Sequence, residues 1–90
     1  MNKARRNTIE IVAVSIENAI SELEMCRDEE QMYYDNMPEA FRDSSKGEIA
    51  DNCIANLDDA IMSLGEALDY VNSSIEEWTW QTRIEKELKK

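Results

Sequence analysis

The sequence predicts an all-α chain: a long antiparallel helical hairpin, two long helices joined by a short helical turn, that dimerises into a four-helix bundle. Three observations carry this expectation. The 90 residues hold only two Gly and one Pro, and that Pro38 stands near the middle. On either side of it apolar residues recur at three- and four-residue steps, the spacing that gathers them on one face of a helix. Two helices alone cannot enclose a core, because each keeps a side in water, and a chain this short has little other surface to bury.

One domain over 1–90 is expected, with helix one over about 3–36, a turn over 37–45 and helix two over about 46–88. Asn2 or Asn7 can cap helix one, and Asn7-Thr8-Ile9-Glu10 has the spacing of a capping box. From there Ile9, Val12, Ile16, Ala19, Ile20, Leu23 and Cys26 form its apolar stripe, continued through Tyr33 or Tyr34 to Met37. Pro38 biases Met37 away from helical dihedrals, so the helix should stop near Asn36. Pro38-Glu39-Ala40-Phe41 reads as one helical turn with Pro at its first position, and Phe41 is expected to plug the end of the hairpin. Ser45-Lys46-Gly47-Glu48 reads as a second capping box that opens helix two.

Along helix two, Ala50, Ile54, Leu57, Ile61, Leu64, Leu68, Val71, Ile75 and Trp78 make one stripe. Cys53, Ala60, Ala67 and Ser74 accompany it at seven-residue steps, small enough to let a second helix approach closely. With the turn centred near residue 41 or 42, Leu23 faces Ala60, Ala19 faces Leu64, Ile16 faces Ala67 and Val12 faces Val71. Apolar residues left beside this seam are the self-association candidates: Ile11, Val14, Met25, Met62 and Tyr70. Residues 11–16 are apolar nearly all round, the mark of a helix covered on more than one face.

Formal net charge is −10, the wrong sign for direct nucleic-acid binding, whose affinity comes largely from Lys and Arg on phosphates. Residues 1–6 and 83–90 carry seven bases against two acids, +5, whereas residues 7–82 carry three bases against 18 acids, −15. A hairpin that brings its ends together therefore has a basic open end and an acidic body. No stretch approaches the roughly 20 apolar residues that span a bilayer, so no membrane partner and a cytoplasmic location are expected. Cys26 and Cys53 fall at small positions on the stripe, where a free Cys acts as a small hydrophobe.

Catalysis needs positioned acid, base or nucleophile groups, and there is no His to serve as the commonest base. The two cysteines have no further Cys or His to complete a zinc set, and the calcium-loop spacing does not occur. Asp51, Asp58, Asp59 and Asp69 read as a solvated face. A non-enzyme is expected, with no catalytic residue, cofactor or metal. The side chains singled out for partner binding are Tyr33 and Tyr34 by the turn, Trp80, which lies off the stripe, and the acids Asp58 and Asp59. At the open end Arg5, Arg6, Trp78 and Arg83 are the one candidate nucleotide pocket, since aromatics beside cations can stack a base.

The run Tyr33-Tyr34-Asp35-Asn36-Met37-Pro38-Glu39, with Lys46-Gly47-Glu48 and Asn56-Leu57-Asp58-Asp59-Ala60-Ile61, resembles a group of uncharacterised small acidic helical-hairpin proteins of bacterial phages, prophages and mobile elements. The likeness covers residues 30–70 or so and departs at Ala40-Phe41-Arg42, where the group tends to carry Asn-Leu-Gln. It implies a helical hairpin and a mobile-element origin, and no activity. The expected function is thus that of a phage-type accessory or inhibitor protein, binding a host or defence protein through helix faces and acting by occlusion. The alternatives are an acidic nucleic-acid mimic blocking a DNA-binding effector, a nucleotide-sequestering oligomer, and a structural or assembly bundle.

Overall fold

The computed structural model describes residues 2–88, with only the backbone of Gln81 included. Helix α1 runs Lys3–Asp35, the single turn α2 Glu39–Arg42, and α3 Ser45–Leu88; α1 and α3 pack along each other as a hairpin. No strand occurs among the described residues.

Local chemistry sets the ends. The Asn2 Oδ1 accepts a hydrogen bond from the Arg5 N–H at 2.7 Å, so Asn2 rather than Asn7 caps α1. At the other end the Asn36 N–H donates to the Met32 carbonyl and the Met37 N–H to the Tyr34 carbonyl, and Pro38 then turns the chain. The Pro38 carbonyl accepts from Phe41 and Arg42 to close α2. The cap of α3 sits one residue earlier than the sequence suggests. The Ser44 carbonyl accepts the Glu48 N–H at 3.1 Å, and the Ser44 hydroxyl turns back to the Phe41 carbonyl.

The seam follows a strict heptad. On α1 the buried and half-buried positions Arg6, Ile9, Ala13, Ile16, Ile20, Leu23, Arg27, Glu30 and Tyr34 alternate in steps of three and four and end at Met37 beyond the helix, with Ala19 half-buried beside the row. On α3 the same alternation runs Gly47, Ala50, Ile54, Leu57, Ile61, Leu64, Leu68, Val71, Ile75, Trp78 and Thr82. The Arg6 guanidinium lies over the Trp78 ring, 4.1 Å from its centroid, which fixes the alignment: counting inward from that pair, Ala13 faces Val71, Ile16 faces Leu68, Ile20 faces Leu64 and Leu23 faces Ile61. The facing pairs read from the sequence are off by one position. Val12, placed on the stripe for its bulk, is 44% exposed, whereas Ala13, on the seven-step row from Arg6 to Ile20, is 6% exposed. Ala60 and Ala67 are likewise exposed, and so are Cys26 and Cys53, both with free thiols.

At the tip the plug is Met37, which is buried, and not Phe41, which is half out in solvent. Gly47 is buried because the chain doubles back tightly there: a Cβ on it would run into the Arg42 carbonyl. Among the described residues no large side chain is fully buried, and the radius of gyration is 20.5 Å against about 12 Å for a compact domain of this length.

The two glycines make opposite demands. Gly47→Ala is expected to lower stability by about 2 kcal/mol, because overpacking against backbone outweighs the helix-propensity gain. Gly65→Ala, with open space where its Cβ would go, is expected to raise it by up to about 1 kcal/mol. Urea midpoints of the two variants check both signs.

Candidate functional site

Around the seam the hairpin presents three surfaces, and the heptad decides which residues lie on each. Positions four after Arg6, Ala13 and Ile20 are Glu10, Glu17 and Glu24, and positions four after Gly47 and Ile54 are Asp51 and Asp58. Because the helices run antiparallel, equivalent positions share a side of the ribbon, so these five acids make one acidic flank. Arg27, itself on the seam, reaches this flank: its Nη1 donates to Asp58 at 3.1 Å and its Nη2 to Asp28 at 3.1 Å. Those two carboxylates, Asp28 first, push the guanidinium pKa further up. Asp58, expected to meet a partner, is thereby engaged within the hairpin, while its neighbour Asp59 stands exposed on the outer surface of α3.

The opposite flank holds the residues just before the seam positions: Val12, Ala19, Cys26 and Tyr33 on α1, and Cys53, Ala60, Ala67 and Ser74 on α3. The next row outward on α3 is Ile49, Asn56, Ser63 and Tyr70, so this side of α3 carries no charge from residue 49 to 74. A groove of about 650 Å³ opens between the helices here, lined by Cys26, Glu29, Glu30, Tyr33, Cys53, Asn56 and Leu57. The grouping of Cys26 and Tyr33 with Cys53 in one groove confirms that the equivalent positions meet on this side.

The third surface is the outer line of α1, opposite the seam: Asn7, Ile11, Val14, Asn18, Ser21, Met25, Asp28 and Met32 at alternating steps of four and three. Ile11 is 68% exposed and Met25 is 63% exposed. From Asn7 to Met25 this line bears no charge. The five self-association candidates therefore do not share one face. Ile11, Val14 and Met25 stand on the outer line of α1, Met62 on the outside of α3, and Tyr70 on the uncharged flank.

The other candidates scatter too. Tyr34 is half-buried in the seam, whereas Tyr33 is exposed and lines both the groove and a tip depression of about 360 Å³ with Asn36, Met37, Pro38, Phe41 and Lys46. At the open end Arg6 covers the Trp78 ring face that a base would stack on. The backbone N–H of Arg5 is held by the Asn2 cap, and Arg83 lies instead beside Trp80, in a shallow depression with Ile75, Glu76 and Thr79. Lys89 and Lys90, counted in the basic end, fall outside the described residues. The seam positions of Arg6, Arg27 and Glu30 escaped the sequence reading, which built the seam from apolar residues and placed Arg6 only in the open-end pocket; the seven-step row through Ala13, Ile20 and Tyr34 contains the signal for the two arginines.

No family model matches this chain, and no curated protein or solved structure matches it either.

Arg27 interrupts the apolar seam, and a charged residue at such a position commonly fixes alignment at a cost in stability. Arg27→Leu is expected to raise the thermal midpoint followed by circular dichroism; a lower midpoint would mean that its ion pairs with Asp28 and Asp58 contribute net stability.

Proposed function

We propose that this protein is a small non-enzymatic accessory or inhibitor protein, of the phage type its sequence resembles, that binds another protein through the outer line of α1 and acts by occlusion. The observation that carries this reading is the apolar side chains Ile11, Val14, Met25 and Met32, exposed along the side of α1 facing away from its partner helix. Apolar residues spaced in this way are the anchors by which an amphipathic helix enters a hydrophobic groove, and the uncharged stretch between Asn7 and Met25 removes the desolvation penalty of burying ionised groups there. The fitting partner is a host or defence protein with an apolar groove about as long as this line.

A second reading, the nucleic-acid mimic, is favoured by the acidic flank. Glu10, Glu17 and Glu24 form one row of carboxylates and Asp51 and Asp58 another beside it, which is the charge a DNA-binding effector would meet.

One capture experiment tests both. Wild-type protein is expected to recover a stoichiometric host protein from bacterial lysate, and Val14→Glu with Met25→Glu is expected to lose it while keeping the helical circular dichroism, since both side chains are exposed. Recovery lost instead by Glu17→Gln with Glu24→Gln, and strongly weakened by salt, would favour the mimic. Capture of nothing by the wild type overturns the binding reading.

A further inference from the structure

We infer that the uncharged flank is the seat of a second copy of this chain, two hairpins closing face to face into a four-helix bundle around a two-fold axis. This goes beyond the occlusion reading, which uses the outer line of α1.

Three observations select this flank and this occupant. The first is area. The chain exposes 7003 Å², whereas a folded monomer of 10.4 kDa exposes about 5,400 Å². The excess is roughly twice the ~800 Å² that each partner buries in a stable interface.

The second is charge. Each copy carries −10, so two copies repel wherever their acids meet. The acidic flank cannot face itself, but the uncharged one can. Its side chains on α3 are neutral over residues 49–74, and its acids are confined to α1: Glu22 at the outer edge, and Glu29 and Glu30 in the wall of the groove near the tip. A two-fold interface sets the same patch against itself, and this flank tolerates such self-matching.

The third is the state of its polar groups. The Ser74 hydroxyl donates to the Val71 carbonyl at 2.7 Å and the Ser15 hydroxyl to the Ile11 carbonyl at 3.1 Å. Covering these two hydroxyls leaves neither donor without an acceptor, the usual penalty of burying a polar group, while Asn56, Ser63 and Tyr70 on the same flank take their partners from the second copy. The groove beside Cys26 and Cys53 gives the opposing copy a concavity to fill.

Cys26 and Cys53 also supply the readout, since both are free and exposed in the single hairpin and both lie on the flank that a second copy would cover. Light scattering is expected to give twice 10.4 kDa at high concentration. The reaction of both thiols with dithiobis(nitrobenzoate) is expected to slow as protein concentration rises. Added salt is expected to strengthen the association by screening like charges. Ala60→Glu puts one charge per copy into the interface at a position exposed in the hairpin, and is expected to weaken dimerisation at least roughly a hundredfold. Glu17→Gln, on the acidic flank, is expected to leave it unchanged. A monomeric mass at every concentration with both thiols fully reactive overturns the inference. Association weakened by salt also overturns it, because that marks docking of the basic end onto the acidic body. So does a folded Ala60→Glu protein that still dimerises with wild-type affinity. The thiol and salt measurements use the wild type and stand whether or not the variant folds.

Discussion

Two helices laid side by side can each turn only a narrow strip toward the other, and most of what this molecule does follows from that limit. The strip is filled by a heptad row on α1 and another on α3, aligned so that Arg6 rests on Trp78 at one end and Met37 meets the Gly47 level at the other. Even on the strip most side chains are only half-buried; among the described hydrophobic residues, Ala13, Met37, Ala50 and Ile54 alone are well hidden from water. The hydrophobic term scales with the area removed from solvent, so a seam of this kind yields little per residue. The chain therefore carries its remaining apolar side chains on the outside, where they are available to other molecules.

The sequence and the structure agree where the signal is long and periodic. The apolar stripe from Ala50 to Trp78 spans eight turns without a conflicting residue, and Pro38 with its neighbours marks the turn, so the hairpin was legible. The alignment across the seam was not, and the reason is physical. On α1 the residues at 11, 12, 13 and 14 are Ile, Val, Ala and Val, so hydrophobicity alone cannot choose the inward one. The choice falls to Ala13 because the row through Ile20, Arg27 and Tyr34 passes through it. Arginines at two seam positions hide that row from any search for apolar residues. They are tolerated because a guanidinium can send its charged end to the rim, as Arg27 does toward Asp58, while its methylenes stay in the seam.

The surfaces were less legible than the fold. Acidic residues scattered along the chain become an ordered flank only once the direction of both helices is known, and the same holds for the uncharged flank facing away from it. Tyr33 and Tyr34 are adjacent in sequence and meet different fates, one in the groove and one in the seam. Trp78 and Trp80, two apart on a helix, point to different sides for the same geometric reason. Side chains that look like a cluster in one dimension can therefore be divided among faces with separate roles.

The geometry of the turn has one more consequence, for the order in which the molecule assembles. Facing residues near the tip, such as Met37 and Gly47, are separated by 47 − 37 = 10 positions along the chain, and those at the open end, Arg6 and Trp78, by 78 − 6 = 72. The entropy of closing a loop grows with its length, so pairing that starts at the tip and advances one layer at a time never has to close a long loop at once. The chain is built to zip, with its nucleus where Gly47 packs under the Arg42 backbone and its last tooth the arginine stacked on indole.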